Sequence, residues 1–305
     1  MMELSLIIDR KNKVKILERF DKTEKDLEED VELIQDWFKS QPHLPEIPST
    51  NMIEFFLVNS KFSKEITKQK LDMYYTVRSI FPDFYQGLNP KTTRNKNNFD
   101  YNYFLVLPKL VDELYRVTLI KLKDIPFQDV DVESLVAKAF QVIEIRIQED
   151  LMFSDIVIID CENLKMSFAM KFTPMIAKII ITILEKVYSN RIREINIINY
   201  HSSFDYILKL AKVFMKPKMF DRIRFHKNLD SLKKNISLDV LPKDYGGDGL
   251  SIDEIQVMWK QKYVEYQNRF DKLDTLKVDE TLRPVPMKDL EIFGMEGTFK
   301  KLNID

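Results

Sequence analysis

Glycine constrains this chain more than any other residue. There are six, at positions 87, 246, 247, 249, 294 and 297, so a single glycine precedes Gly246. A P-loop or a dinucleotide-binding turn needs closely spaced glycines so that backbone amides can approach phosphates. Residues 1 to 245 cannot supply them, which closes both routes to nucleotide chemistry.

With 305 residues and 36.3 kDa, the chain is long enough for one large domain and a smaller one. Hydrophobic residues make up 45% and charged residues 31%, a balance that buries a sizeable core beneath a polar surface. The formal charge of -1 gives no overall attraction for nucleic acid, so a charged partner must meet a local patch. Cys161 is the sole cysteine, which excludes an internal disulfide and a cysteine-based zinc site. The first 30 residues carry charge throughout and lack the apolar stretch of a secretory signal. No apolar run approaches the roughly 20 residues that span a bilayer. A cytoplasmic monomer is expected.

Residues 1 to about 90 read as helical. An acidic stretch from Asp21 to Glu32 leads into VELIQDWFKS, where Val31, Ile34, Trp37 and Phe38 fall at helical spacing. Pro42, Pro45 and Pro48 then break the chain, and Asn51 with Glu54 is read as the cap pair of the next helix. The polar run Asn89 to Asn98 is the expected linker. Beyond it, YFLVL (103–107) and YRVTLIKL (115–122) have the β-branched and aromatic texture of strands. Residues 131–150 return to a helical period, and DIVIID (155–160) and EINIIN (194–199) are short apolar runs typical of buried parallel strands. Thr173 and Pro174 open the helix between them, giving a right-handed parallel crossover. A further helix covers about Ser203 to Met215, followed by a wetter strand, DRIRFH (221–226).

Two of these helices are unusually apolar. In TPMIAKIIITILEKVYS the polar positions Lys178, Thr182, Glu185 and Lys186 form one narrow stripe. Such a helix either packs between the sheet and another helix or lines a ligand cavity, and core packing is the plainer reading. In SSFDYILKLAKVFMK the stripe is Asp205, Lys209, Lys212 and Lys216. This helix is a core element, or a lid that closes on a ligand and touches membrane when open. Residues 209–234 hold nine Lys or Arg against Asp221 and Asp230. That patch is an ordinary solvated face or a dock for anionic lipid.

Catalytic chemistry finds no support. His43, His201 and His226 are not at metal-ligand spacing with one another or with Cys161, so no metal and no cofactor is expected. Cys161 follows a strand pattern and reads as a small core or pocket residue. There is no Gly-x-Ser-x-Gly elbow. The paired acids Glu29 and Asp30, and Asp253 and Glu254, read as solvated faces and caps.

The ordered landmarks VIIDCENL, FTPMIAK, RIREINIINY, FDYILKLAKVFMKPKMFDRIRFH and LPKDYGG, from Ile156 to Gly247, resemble the CRAL-TRIO family, to which alpha-tocopherol transfer protein belongs. LPKDYGG is the most telling, being similar to the family's closing Leu-Pro-x-Glu-Tyr-Gly-Gly. It places Gly246 and Gly247 in a tight turn that needs φ values other residues resist. The N-terminal helices with EFFLVNSKF look like the helical domain that precedes the lipid-binding domain. Two departures stand out: FFLVNSK replaces an arginine-rich stretch, and Asn163 stands where glycine is common. Such divergence resembles the expanded insect branch of the family.

The resemblance implies an α/β fold: a mixed, largely parallel sheet flanked by helices and preceded by a small all-helical domain. It implies a helical domain over 1–90, a lipid-binding domain over 91–250 and a C-terminal helix and tail over 251–305. One hydrophobic molecule, a tocopherol, retinoid, carotenoid or similar lipid, would lie under a lid at about Asn199 to Arg222. Ile180, Ile183, Leu184 and Tyr188 would line it from the first apolar helix, with Phe172 before that helix and Ile159 and Ile195 from strands. Phe204, Ile207, Leu208 and Phe214 would close it. Arg191, Arg193, Lys218 and Arg222 look like the family's phosphoinositide-binding cations. The implied function is binding and transfer of that ligand without chemistry, or else phosphoinositide sensing without cargo.

Overall fold

The computed structural model describes residues 4–85, 88–92, 98–126, 132–188 and 190–284. Four helices come first: α1 (Arg10–Glu18), α2 (Glu24–Lys39), α3 (Thr50–Asn59) and α4 (Lys64–Ile80). Thr23 and Asp26 form a reciprocal capping box on α2, each satisfying a backbone amide of the other. The cap of α3 is Ser49, whose hydroxyl accepts from the Met52 amide, and not the Asn51–Glu54 pair read from sequence. Those two side chains reach other elements instead, Asn51 to the Gln148 carbonyl and Glu54 to Lys13. Asp30 departs from the solvated reading as well. It is buried and pairs with Lys64 at 2.9 Å and Lys22 at 3.7 Å.

Of the expected linker, residues 93–97 lie outside the described residues, and Asn89 is buried against Asp271 and Asp274. The sheet has five strands in sequential order: β1 (Asn102–Val111), β2 (Tyr115–Leu122), β3 (Ser154–Asp160), β4 (Ile192–Ile198) and β5 (Ile223–Phe225). β1 pairs antiparallel with β2, and the remaining pairs are parallel. The β1–β2 register shifts between Val106 and Leu110, around Pro108, which has no amide to give the ladder. Arg116 takes up the displaced carbonyls of Leu107 and Pro108 while its guanidinium binds Asp150 at 2.7 Å.

Between β2 and β3 runs α5 (Val132–Glu149), and between β3 and β4 runs α6 (Pro174–Ile183), with Thr173 capping it and Pro174 in its first turn as the sequence predicts. The helix does not continue regularly towards Ser189, which lies outside the described residues. Leu184–Tyr188 forms a π-helical turn. α7 (Ser203–Phe214) connects β4 towards β5, and α8 (Ile252–Glu265) and α9 (Gln267–Leu273) follow.

The alternation of β3 and β4 sorts side chains onto two faces. Ile156 and Ile158 enter a core that also takes in Leu4, Phe56, Tyr74, Ile145, Trp259 and Leu276, so the N-terminal helices, the sheet and the C-terminal helices share it. Buried polar contacts tie the same parts together. Tyr74 of α4 donates to Glu144 of α5, Arg78 binds Glu144 at 2.6 Å, and Arg269 of α9 binds Tyr74 at 3.2 Å and Glu46 at 2.8 Å. Val157, Ile159, Ile195 and Ile197 point the other way, into a second apolar cluster.

Candidate functional site: an apolar cluster under a helix

The second cluster is built on the outer face of β3 and β4. Its buried members are Leu135, Cys161, Leu164, Phe168, Ala169, Ile195, Ile197 and Phe204, with Val157, Ile159, Phe172, Ile207 and Leu208 packed around them. α7 covers it. Among the twelve residues of that helix Phe204 alone is buried, whereas Ile207, Leu208, Leu210 and Phe214 are partly exposed. An amphipathic helix with so little of its apolar side covered gains little from packing, since each fully buried large side chain contributes about 1.5–3 kcal/mol.

Both ends of α7 are held by few bonds. Before it, Asn199 adopts the left-handed conformation (φ 51°) and its amide is tied to Asp160 at 2.8 Å. His201 Nε2 meets the Cys161 carbonyl at 2.7 Å, and Tyr206 donates to the Phe172 carbonyl at 3.2 Å. Ser202 makes no side-chain cap. After the helix, Lys216 pairs with Glu185 at 3.0 Å. Cys161 is buried within this cluster, where burial, and next the Asp160 carboxylate, push its thiol up to about 12.

Of the residues expected to line a ligand, six meet in this cluster: Ile159, Phe172, Ile195, Phe204, Ile207 and Leu208. Ile180 and Ile183 pack into the main core, Ile183 fully buried. Tyr188 does so too, at 0% exposure, against Tyr74, Phe140 and the Tyr85 hydroxyl. Leu184 is 40% exposed, and Phe214 belongs to neither cluster. Ile180 and Ile183, ahead of the π turn, and Tyr188, at its end, share the side turned to the main core, while Leu184 at its start faces outwards. Sequence reasoning missed Val157 and Ile197, which strand alternation from Ile159 and Ile195 would have found. It also missed Phe168 and Ala169, on the single turn Met166–Ala169, which has no periodic signature.

The four expected cations lie around the β4–β5 end of the sheet in different states. The Arg191 guanidinium is 4.2 Å from the ring centre of Phe153 and 4.8 Å from that of Phe20. Its Nη1 is buried with no hydrogen-bond partner among the described residues. Burial and the neighbouring Arg222 lower its pKa. Arg193 lies over Tyr115 at 4.1 Å and 3.7 Å from Asp112. Arg222 donates to the Ile192 carbonyl, and Lys218 is exposed on the turn Pro217–Phe220.

The closing LPKDYGG segment stands at the other end of β3. Tyr245 reaches Asp160, and Gly246 has φ 72°, as a turn of this kind demands. Gly247 is needed for a different reason. A Cβ there would lie 2.0 Å from the Leu241 carbonyl oxygen.

Among the described residues no group of three or more His, Cys, Asp or Glu is placed to hold a metal ion, and no helix is long and apolar enough to cross a membrane. Residues 102–247 match the CRAL/TRIO domain model, and residues 23–95 match that of the Pinta-like UBA domain. The chain is 27% identical over 268 residues to the human and mouse alpha-tocopherol transfer protein-like proteins, covering 85% of this chain and 74% of each relative. It is 23% identical over 237 residues to Clavesin-1 of Xenopus laevis, covering 72% of this chain and 68% of that one. Among solved structures it is similar to Sfh5, with a TM-score of 0.46 and 12% identity over 85% of this chain and 99% of the other. With the domain model spanning β1 through Gly247 and the mixed five-stranded sheet beneath it, residues 102–247 of this chain are a CRAL/TRIO domain carried behind a UBA-like helical region.

Proposed function

We propose that this protein binds a hydrophobic, lipid-like molecule in the chamber beneath α7 and transfers it between membranes, docking on anionic phosphoinositide-bearing surfaces to do so. CRAL-TRIO domains bind and transfer lipophilic ligands, and the relatives named for alpha-tocopherol transfer point to the same class of cargo. One observation carries the reading. A second apolar cluster, on the sheet face away from the main core, is covered by a helix with a single buried side chain. Apolar ligand surface placed there gains about 25 cal/mol per Å² removed from water, and it completes the contacts that Ile207 and Leu208 lack. No proton or group transfer is involved.

Docking is assigned to Arg193 and Lys218, whose charges face outwards, with Arg191 and Arg222 behind them. Lysine and arginine near an anionic surface contribute about 1 kcal/mol each. Solvent extraction and native mass spectrometry of the purified protein test the reading. A reproducible bound lipid, lost in the chamber-filling variant Ile195→Trp, is the expected result. An empty protein that still binds phosphoinositide vesicles would favour sensing over transport, and binding unchanged in R193Q/K218Q would remove the docking assignment.

A further inference from the structure

The turn that joins β1 to β2 carries an acid where its backbone asks for glycine. Leu114 donates its amide to the Val111 carbonyl at 3.0 Å to close the turn, and the two central residues, Asp112 and Glu113, have φ of 54° and 60°. Hairpin turns with positive φ at both central positions favour Asn-Gly or Asp-Gly, since the left-handed conformation brings Cβ against the following carbonyl oxygen. Aspartate tolerates that conformation, whereas glutamate at the second position has no local reason to be there. Its reason lies across the surface. Glu113 binds Lys11 at 3.1 Å and Lys15 at 2.5 Å, one turn apart on α1, and Asp112 lies 3.7 Å from Arg193 near the start of β4. The two lysines hold the Glu113 carboxyl below the usual carboxylate range, so it stays charged. All five side chains are 40–76% exposed, and solvent-screened pairs of this kind add little to stability. An outlying backbone held by weak bonds points to function.

We propose that Lys11 and Lys15 of α1 extend the docking surface of Arg193, and that the Asp112–Glu113 turn is a built-in counter-anion which restricts docking to lipid surfaces of high anionic charge. This rests on the reading of Arg193 as a docking residue and adds the contacts that set its charge dependence. The physical argument is one of local charge. The three cations meet two carboxylates within one patch, which leaves a single net positive charge where there would otherwise be three. A bilayer senses charges within about 8–10 Å at physiological salt, so this patch and not the net charge of the whole chain decides the attraction. On a weakly charged surface the carboxylates repel as much as they neutralise. On a densely charged one, the many lipid phosphates compete for the same exposed ammonium and guanidinium groups, and solvent-screened pairs exchange readily.

Co-sedimentation of the full chain with phosphatidylcholine vesicles carrying stepped amounts of phosphatidylserine tests this. D112N/E113G installs the dipeptide that the turn prefers and removes both charges. It should bind about five- to thirtyfold more tightly at a given phosphatidylserine content, the effect of one to two unit charges near the surface, and no better to phosphatidylcholine alone. D112N/E113Q keeps the backbone strain and should show the same gain, which separates charge from turn geometry. Adding K11Q/K15Q to D112N/E113G should take back at least fivefold. E162Q/D248N makes the same charge change beyond the opposite end of β3 and should alter binding less than twofold. A gain absent from D112N/E113G, a gain matched by E162Q/D248N, or lysines without effect would overturn the proposal. Binding that R193Q/K218Q leaves unchanged, with the acidic turn behaving as expected, would remove the docking assignment of Arg193 and leave α1 and its counter-anion standing. Failure of both wild type and D112N/E113G to bind at any phosphatidylserine content would overturn both.

Discussion

Tyr245 donates its hydroxyl to Asp160 at 2.9 Å, joining the closing LPKDYGG turn to the C-terminal end of β3 across 85 residues of sequence. Asp160 is fully buried and also receives Lys121 at 3.0 Å, Asn199 at 2.8 Å and the Glu162 amide at 3.0 Å. The carboxylate therefore holds three things at once: the end of the sheet, the signature turn and the left-handed residue Asn199 that leads into α7. Burial, and then the Asp160 charge, raise the tyrosine pKa well above its ordinary value, so the phenol stays a donor at all working pH. Tyr245→Phe leaves a buried acceptor with one bond fewer and should cost about 1–3 kcal/mol in urea denaturation. A loss below a few tenths would mean that the other three donors suffice.

The two glycines of that turn should behave differently. At Gly246 the backbone has φ 72°, and the atoms nearest a new Cβ belong to the end of the flexible Lys233 side chain, which can move aside. The cost of alanine there is roughly the 1–2 kcal/mol of a left-handed L-residue. At Gly247 a Cβ meets the Leu241 carbonyl oxygen at 2.0 Å and its carbon at 2.6 Å, both backbone atoms. Gly247→Ala should be the more damaging of the two in a thermal melt, because the turn itself must shift.

His226 supplies a pH dependence of known sign. Its Nε2 faces the Asn196 side-chain oxygen at 2.7 Å and its Nδ1 the Ser231 hydroxyl at 3.0 Å, tying β5 and the helical turn after it to β4. Burial, outweighing the Glu194 charge, lowers its pKa from the ordinary 6.5. The folded state therefore binds this proton less readily than the unfolded one. The stability His226 contributes is complete above pH of about 6.5 and is lost as the pH falls from there through the folded pKa. His226→Asn should flatten the stability profile on the acid side of neutrality and leave the slope on the alkaline side unchanged.

The sheet was legible because its strands differ in texture from everything around them. YRVTLIKL coincides with β2, and the apolar runs of β3 and β4 have no competing helical period. Thr173 and Pro174 announced the start of α6 for a local reason, a cap followed by a residue with no amide to lose. Tertiary placement was not legible in the same way. Asp30 looked solvated because Lys22 and Lys64, which bury it, come from outside its own helix. Ile180, Ile183 and Tyr188 recur at helical intervals because they share the face buried in the main core, and their spacing alone does not distinguish a wall of that core from a wall of a ligand site. Arg191 matched a cation pattern, yet Phe20 and Phe153, its nearest companions, lie 171 and 38 residues away in the chain.

Cys161 offers a chemical readout of the chamber. The thiolate is the reactive species, and with the thiol pushed up to about 12 from an ordinary 9 its ionised fraction at pH 8 falls from about a tenth to about one in ten thousand. Alkylation of the closed protein should accordingly be on the order of a thousandfold slower than that of an exposed cysteine. What reaction does occur must pass through openings of α7, since the thiol lies in the cluster that Phe204 seals. E185Q, which removes the Lys216–Glu185 pair just past α7, should therefore speed labelling, and a bound apolar molecule should slow it. Labelling that is fast in the wild type, or indifferent to both, would mean that Cys161 is reached by a path that does not involve the helix, and the chamber would then have a second entrance.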